Sequence, residues 1–554
     1  MIKKVDIKRV LGEIPFTAEV YWQLRQAGRP LSKSFSMRLT RKHLPEWVSQ
    51  ASQALPANID SGGKRVLIFT TLRYWIEHAA LMGVAMAGMG YEVTLAFLPY
   101  ANWHTSSNRF DLRRHNAYAK HILRPAEALM KSVSFLDVRA PDQPLPESLT
   151  SAIRELSIRD VQYTLQVEDV DQNSDLYRLR VQRNTAASQS ALQWMKTNRP
   201  DILITPNGSI LEMGAVYAAA RYLNIPVVTY EFGEQRDRIW LASEAEVMRQ
   251  ETDEMWAARG SERLTEAQWE QIRSLFSSRQ HASLWENFSR RWQGTPSQGG
   301  GRVRQELGLD SRPVVLLAAN VIGDSLTLGR QVFTDNMTEW LERTVSDFAR
   351  RSDVQLVVRI HPGERYTKGP SVADVVHGVL PDIPEHLHLV AADDPVNTYD
   401  LVEITNLGLV YTTTVGMEMA MSGVPVIVVG ETHYRGKGFT LDPVSWDSYH
   451  QYLDQTLHDP DNQHLTRQQV ERAWNYAYKF FFEFPSPFPW HLLHFWNELE
   501  TWPVSRVLSS EGRAHYGNTF RYLVGEPRDW NNTTSVCEIE TGSTSEQTAT
   551  VTEQ

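Results

Sequence analysis

The feature that most constrains the fold of this 554-residue chain is an alternation of short apolar runs with helical segments that occurs twice. The first set begins at Lys64, and the second follows a glycine-rich stretch at 294–301. Strands that alternate with helices form parallel sheets with helices on both faces. We therefore predict an α/β protein with two Rossmann-like, doubly wound domains that face each other across a cleft.

Nine apolar runs carry the strand prediction, and segments of helical periodicity, such as 75–89 and 211–223, lie between several of them. Residues 102–195 are mostly polar with helical spacing, so we predict mostly helices there. The predicted strands are 66–69, 91–97, 201–205, 226–230, 314–318, 355–360, 388–390, 407–411 and 424–429.

Composition divides the chain into five parts. The stretch 294–301 is Gly-Thr-Pro-Ser-Gln-Gly-Gly-Gly, which is typical of a linker, and the Thr, Ser, Glu and Gln content after 526 is typical of disorder. The aromatic stretch 476–496 favours interdomain packing over membrane contact. We predict a helical extension at 1–60, Rossmann-like domains at 61–293 and 302–463, a helical and aromatic segment packing across the domains at 464–526, and a disordered tail at 527–554.

The composition also narrows the classes of partner. The formal charge is −10 without a concentrated basic face, which argues against nucleic acid because a polyphosphate requires clustered cations. The single Cys537 excludes an intrachain disulfide and a cysteine metal cluster. No apolar run approaches the roughly 20 residues of a membrane span. We expect a cytoplasmic protein; peripheral contact with the inner face of the membrane stays open, as does the oligomeric state.

Several catalytic motifs are absent from the sequence. It contains no His-Glu-x-x-His, no Gly-x-Ser-x-Gly, no Walker phosphate loop and no Gly-x-Gly-x-x-Gly at the first helix. These absences disfavour metalloproteases, esterases, nucleoside triphosphatases and dinucleotide-dependent dehydrogenases. We predict no metal site and no cofactor.

The end of the predicted strand 355–360 carries two cationic groups. Arg359 and His361 are two residues apart, which places both side chains on the same face of a strand. The imidazole at this position suits a hydrogen bond to a phosphate oxygen or proton transfer. The alternative is a histidine that bonds to a neighbouring loop.

A run of hydroxyl side chains follows the strand 407–411. Thr412, Thr413 and Thr414 stand where a helix begins, Gly416 allows close approach of a ligand, and Glu418 lies in the first turn. Hydroxyl and backbone N–H groups at a helix N-terminus suit a phosphate, and a carboxylate suits the hydroxyls of a ribose. Ordinary helix capping is the alternative.

Two further polar loops are expected at strand ends of the second domain. The loop 431–437 would bring Tyr434 and Lys437 to the donor, and the loop 320–330 would line the cleft with Asn320 and Asp324. Polar surface loops without a ligand are the alternative.

The first domain offers an acceptor side. Asn207-Gly208 follows one predicted strand, and Glu231 and Glu234 follow the next, so these groups should face the same cleft. A carboxylate here is a candidate general base for an acceptor hydroxyl. Helix capping or pairing with a nearby arginine is the alternative. The weaker candidates for the base are Asp111 and Glu77.

The chain resembles the capsule polysaccharide biosynthesis glycosyltransferases over about residues 200–450. Their pattern is a His-Pro turn, a Ser/Thr-x-Gly-x-Glu helix start, a Gly-x-Pro-Val strand, and a Gly followed by a Tyr-x-x-x-Gly loop. Asn-Gly and Glu-x-Gly turns recur in their first domain. The matching residues are His361-Pro362, Thr414 to Glu418, Gly423 to Val426, Gly430, Tyr434, Gly438, Asn207-Gly208 and Glu231 to Gly233. Met419 departs from the pattern, which often has Ala after the Glu.

The resemblance implies a metal-independent GT-B glycosyltransferase that moves a sugar from a nucleotide-sugar donor to a saccharide or lipid-linked acceptor in surface polysaccharide synthesis. From the residues themselves we predict donor contacts from the second-domain residues above and catalysis by His361 and Glu231 or Glu234. Three alternatives remain: a CDP-glycerol-type polyol-phosphate transferase, a nucleotide-sugar 2-epimerase, and a saccharide-binding protein without activity.

Overall fold

The computed structural model describes residues 4–26, 33–55, 63–139, 143–285, 287–288, 291, 293–460 and 462–532. The part of the predicted tail from 533 to 554 lies outside these residues. The strands are β1 Arg65–Thr71, β2 Glu92–Leu98, β3 Lys131–Ser134, β4 Ile202–Pro206, β5 Val227–Glu231, β6 Arg238–Ser243, β7 Val314–Ala318, β8 Gln355–Arg359, β9 Leu387–Val390, β10 Leu407–Val410, β11 Val426–Val428 and β12 Ser486–Pro487.

The α-helices fill most of the chain between these strands. They are α1 Lys4–Glu13, α2 Thr17–Tyr21, α3 Arg38–Gln53, α4 Arg73–Gly88, α5 Arg109–Leu123, α6 Glu147–Leu165, α7 Asp175–Asn198, α8 Leu211–Tyr222, α9 Asp253–Arg259, α10 Glu266–Gln280, α11 Gly300–Glu306, α12 Met337–Phe348, α13 Val372–Val379, α14 Thr398–Glu403, α15 Val415–Met421, α16 Trp446–His458, α17 Arg467–Tyr478, α18 Phe495–Thr501, α19 Val504–Leu508 and α20 Ser510–Leu523.

The strands form two sheets. The first has the order β12-β6-β5-β4-β1-β2-β3, in which β5 to β3 are parallel and β6 and β12 are antiparallel additions at one edge. The second has the order β11-β10-β7-β8-β9 and is parallel throughout. The prediction of two doubly wound α/β units is confirmed.

The predicted strands correspond to observed strands because central parallel strands are buried on both faces and are therefore uniformly apolar. In β1, for example, every residue after Arg65 is buried. Three strands were not predicted. β3 is polar, Lys-Ser-Val-Ser, and lies at the sheet edge. β6 and β12 are added by antiparallel pairing, β6 on β5 and β12 on β6. Of these, β3 lies within 102–195, where mostly helices were predicted.

Each sheet has its own core, and the chain crosses between the cores more than once. Met255 and Ile272, from α9 and α10, pack into the core of the second sheet ahead of the glycine-rich stretch. Phe480 and Phe484 also belong to that core, whereas Phe488, Trp490 and Phe495 pack against the first sheet. The aromatic stretch thus contacts both domains.

A segment of the first domain is fitted against the second. The Glu168 carboxylate accepts hydrogen bonds from Met337 N and Thr338 N, at 3.0 and 2.9 Å, and so caps α12. A Cβ at Gly323 would lie 2.5 Å from Val167 N, and a Cβ at Gly369 would lie 2.0 Å from the Gln166 carbonyl oxygen. The absence of side chains at these glycines lets the two backbones meet.

Within the described ranges, no helix is long and apolar enough to cross a bilayer. Over the same ranges, no group of three or more His, Cys, Asp and Glu side chains is arranged to hold a metal ion.

Candidate active site

The carboxyl ends of the two sheets meet at a groove between the domains. Arg159, Ser209, Glu246 and Arg249 line it from the first domain, and Ser325 and Arg330 line it from the second. Counted together with the open solvent at its mouth, the groove has a volume of about 400 Å³. We call this space the interdomain groove. Ser209 follows β4, and Arg330 ends the loop after β7, so the groove lies where parallel sheets bind ligands.

Arginine side chains give the groove a positive charge. Arg330 is 7% exposed, and its guanidinium donates hydrogen bonds to the carbonyl oxygens of Arg249, at 3.2 Å, and of Met248. Burial and the adjacent charge of Arg249 lower the pKa of Arg330 to about 10, so it remains charged at neutral pH. Arg159 binds the Glu246 carboxylate at 3.0 Å. Three cations therefore face one carboxylate.

Glu231 is the last residue of β5 and lies near Tyr163, one of the residues that line the groove. Its carboxylate accepts hydrogen bonds from Phe232 N at 3.0 Å and from Asn207 Nδ2 at 3.2 Å. Burial raises the pKa of Glu231 above its usual range. The hydroxyl of Tyr163, which lines the groove, has a pKa raised by burial and by the charges of Asp324 and Glu231. Tyr163 is thus close enough to charged groups of both domains for them to affect its pKa.

The Asn207-Gly208 turn positions Glu231. Asn207 has φ 58°, and its side-chain oxygen accepts a hydrogen bond from Ser209 N at 3.1 Å. Gly208 has φ 83°, and a Cβ there would lie 2.6 Å from Thr229 Cγ2. Because this turn needs left-handed backbone and close approach, the Asn-Gly pair is explained by local geometry. The side-chain amide nitrogen of Asn207 donates a hydrogen bond to Glu231.

Glu234 lies in a different environment from Glu231. It lines a second pocket together with Arg238, Phe480 and Phe481. Both carboxylates were predicted as candidates for the base; Glu231 lies near Tyr163 of the interdomain groove, and Glu234 lines the second pocket.

Arg359 and His361 are not equivalent in the structure. The Arg359 guanidinium is buried and donates to the carbonyl oxygens of Ala391 and Val396, and burial lowers its pKa to about 10. His361 is exposed, and its Nδ1 accepts a hydrogen bond from Gly363 N at 3.0 Å. β8 ends at Arg359, so the two-residue alternation of a strand does not extend to His361.

The threonine run is held by other loops of the same sheet edge. Asn320 Oδ1 accepts a hydrogen bond from Thr412 N at 3.2 Å, and the Tyr434 hydroxyl donates to the Thr413 carbonyl oxygen at 2.6 Å. A Cβ at Gly416 would lie 2.4 Å from the Tyr434 hydroxyl oxygen. Gly416 thus accommodates Tyr434, and Thr414 is the partly exposed residue at the beginning of α15.

The side chains of Tyr434, Lys437 and Glu418 are buried. Lys437 Nζ pairs with Asp253. Glu418 accepts a hydrogen bond from Arg279 Nη1 at 2.7 Å in the second core, and burial raises the pKa of Glu418. Glu418 is thus paired inside the second core and is not one of the residues that line the interdomain groove.

The cations of the groove were not among the predicted residues. Arg330 ends a loop whose small and polar residues had indicated the cleft, but Arg159 and Arg249 are isolated arginines without a local motif. A basic side chain on a polar helix is typical of any surface. Only the packing of α6 and of the short 3-10 helix Val247–Arg249 against the second domain brings these three groups together.

The fold and the groove define a two-domain α/β protein whose candidate ligand site lies between Rossmann-like units. No protein-family model matches the chain, and no curated protein matches it. Solved structures with similarity include the β-Kdo 2,4-transferase KpsC of Thermosulfurimonas dismutans, with 14% identity, 53% of this chain and 83% of that chain covered, and a TM-score of 0.32.

Two other solved structures span more of the chain. The UDP-GlcNAc 2-epimerase of Neisseria meningitidis, bound to UDP-GlcNAc, has 12% identity, covers 76% of this chain and 98% of its own, and has a TM-score of 0.23. The N-terminal domain of trehalose-6-phosphate phosphatase from Candida albicans has 12% identity, coverages of 81% and 98%, and a TM-score of 0.29. Similarities at this level carry no argument about activity.

Proposed function

We propose that the chain is a glycosyltransferase that uses a nucleotide-activated sugar, with the donor in the interdomain groove and the acceptor against the first domain. The observation that carries the proposal is the meeting of Arg159, Arg249 and Arg330, from both domains, at the carboxyl ends of two Rossmann-like sheets. The motif resemblance over residues 200–450 supports the same class.

The arginines suit the chemistry of a phosphate leaving group. As the bond between the anomeric carbon and the phosphate oxygen breaks, the electron pair remains on the nucleotide and its negative charge grows. Guanidinium groups placed in advance around that charge stabilise the transition state, and they bind phosphate oxygens in bidentate fashion. The partly buried groove strengthens these interactions relative to water.

Glu231 suits the role of base toward the acceptor. The acceptor hydroxyl would transfer its proton to the Glu231 carboxylate while its oxygen bonds to the anomeric carbon. A pKa raised by burial brings the carboxyl closer to neutrality and makes it a better proton acceptor once ionised. The hydrogen bond from Asn207 orients the carboxylate. His361 and Thr414 remain predicted donor contacts at the second-domain edge.

A ligand screen tests the proposal. The melting temperature of the chain is measured with UDP-, GDP- and CMP-sugars and with CDP-glycerol, because a ligand at 100 times its Kd stabilises the native state by about 2.7 kcal/mol. We expect one nucleotide-sugar class to raise the melting temperature and the exposed Arg249→Ala variant to weaken that shift. The control is Arg467→Ala, which removes an exposed arginine on α17, away from the groove.

The other functions give different results in this melting-temperature screen and in a turnover assay with the same compounds. A shift with CDP-glycerol alone would assign a polyol-phosphate transferase, and conversion of a nucleotide sugar without any acceptor would assign an epimerase. Binding of free saccharides without any response to nucleotides would contradict the proposal and favour a binding protein.

A further inference from the structure

Residues 7–24 expose a concentration of large apolar side chains. Of the fifteen exposed large hydrophobic residues within the described ranges, seven fall in this stretch. Phe16 and Leu24 are 74% and 76% exposed. We call the patch formed by Ile7, Val10, Ile14, Phe16, Val20 and Leu24 the N-terminal apolar surface. A concentration of exposed apolar side chains within one short segment is typical of an interaction site.

The N-terminal apolar surface is held in place by α5. Lys8 Nζ binds the Asp111 carboxylate at 2.8 Å, and Arg113 Nε binds the Glu19 carboxylate at 2.9 Å. Ala18 of α2 and Trp22, which directly follows α2, are buried. α1 and α2 are therefore docked on the first domain, while Ile7, Val10 and Val20 remain exposed.

The backbone at the turn between α1 and α2 holds an aromatic ring outward. Phe16 has φ 61°, in the left-handed region that non-glycine residues rarely adopt and that costs roughly 1–3 kcal/mol. Phe16 is the most exposed aromatic residue of the patch. Backbone strain of this kind is typical of positions where a side chain binds a ligand or a partner.

The charge around the patch is opposite to that of the whole chain. Residues 7–25 together with 109–114, the first turns of α5, carry six basic and three acidic side chains, a net charge of +3 on a chain of −10. The three acidic side chains are all paired: Glu13 with Arg109, Glu19 with Arg113, and Asp111 with Lys8. The exposed Arg9 and Arg25 add charge at the patch.

We propose that the N-terminal apolar surface docks on an anionic phospholipid membrane. Apolar side chains on a short helical element enter the boundary between headgroups and acyl chains, while nearby cations contribute about 1 kcal/mol each toward anionic headgroups. In a symmetric contact with a second copy, the positive patch would face itself and be repelled, whereas anionic headgroups attract it. The charge therefore favours anionic lipid over a second copy.

The N-terminal apolar surface contacts α5, which begins at the edge of the first domain where Asn207 and Glu231 lie. α5 follows β2 and therefore begins at the carboxyl edge of the first sheet, and Gly12 of α1 lies against the backbone of Phe110 in its first turn. Asn207 and Glu231 lie at that same edge. Docking would bring this edge of the domain to the bilayer. The membrane contact stands independently of the proposed glycosyl transfer.

Vesicle co-sedimentation of the full chain tests the inference. Wild type is mixed with vesicles of phosphatidylglycerol and phosphatidylcholine in equal parts, or of phosphatidylcholine alone. We expect sedimentation with the anionic vesicles only, and an affinity at least about ten-fold lower for Phe16→Ser/Leu24→Ser. Because both side chains are exposed, the variant should retain the melting temperature of wild type.

The matched control is Tyr366→Ser/Leu493→Ser, which removes two apolar side chains that are 78% and 70% exposed elsewhere. It should sediment as wild type does. Absence of wild-type binding, equal binding to both kinds of vesicle, or unchanged binding of Phe16→Ser/Leu24→Ser would overturn the inference. So would a wild-type dimer, without vesicles, that this variant converts to a monomer, because the patch would then bind a second copy.

Discussion

The Glu418 carboxylate accepts a hydrogen bond from the Arg279 guanidinium across 2.7 Å, with the two side chains 6% and 1% exposed. The pair joins α10 to α15 inside the second core, and the Arg279 guanidinium also lies over the rings of Phe276 and Phe481, at 4.9 and 4.6 Å. The carboxylate of Glu418, which was predicted to contact a ribose, thus forms an ion pair with Arg279 inside the protein.

Removal of one member of this pair should destabilise the second domain. Arg279→Leu leaves a buried carboxylate without its cation, which typically costs about 3–5 kcal/mol, whereas Arg279→Leu/Glu418→Leu should recover much of the loss. Urea unfolding followed by tryptophan fluorescence measures both. A single variant as stable as wild type would show that the pair contributes nothing in solution.

Glu231→Gln should lower the rate of sugar transfer by about 10²–10⁴-fold while the donor Kd stays within two-fold or so, because the amide retains the shape but cannot accept the proton. Steady-state turnover and donor titration check the two parts separately. Glu234→Gln is the matched control, since Glu234 lines the other pocket. Equal losses in both variants, or none in Glu231→Gln, would remove Glu231 as the base.

Gly369→Ala should open the contact between the domains. The new Cβ would lie 2.0 Å from the Gln166 carbonyl oxygen, so the segment 165–168 must move, at a cost of about 1–3 kcal/mol. Small-angle scattering should report a larger radius of gyration, and the melting temperature should fall. Gly378→Ala, where a Cβ meets nothing within 4 Å, should leave both unchanged. An unaltered scattering curve for Gly369→Ala would contradict the expectation.

Glu498 should make stability depend on pH. Burial raises its pKa to about 8, against about 4.3 in an unfolded chain, so the protonated form favours the folded state. Its contribution is complete below pH 4 and is lost as the pH rises toward 8. Between pH 5 and 8, the unfolding free energy of wild type should fall by roughly 1–3 kcal/mol relative to Glu498→Gln.

Urea denaturation at pH 5, 6.5 and 8 measures that difference. The exposed Glu500→Gln, on the same helix, is the control and should follow wild type at each pH. Parallel curves for wild type and Glu498→Gln would show that Glu498 is ionised in both states.

The site illustrates how far local patterns reach. The Asn207-Gly208 turn and the position of Glu231 after β5 follow from turn chemistry and from the end of an apolar run, and both are visible within ten residues of sequence. The roles of Gly416 and Glu418 are not visible in this way. Their neighbours Tyr434 and Arg279 are 18 and 139 residues away, so the same short motif is compatible with either a ligand or an internal partner.

The amino-acid sequence by itself determined the two doubly wound sheets, because the burial of central parallel strands on both faces imposes apolar runs at a regular spacing. Only the tertiary structure decided which polar groups share the interdomain groove. Arg159, Arg249 and Arg330 come from three separate segments, and electrostatic interaction depends on distance through space and on burial rather than on order along the chain.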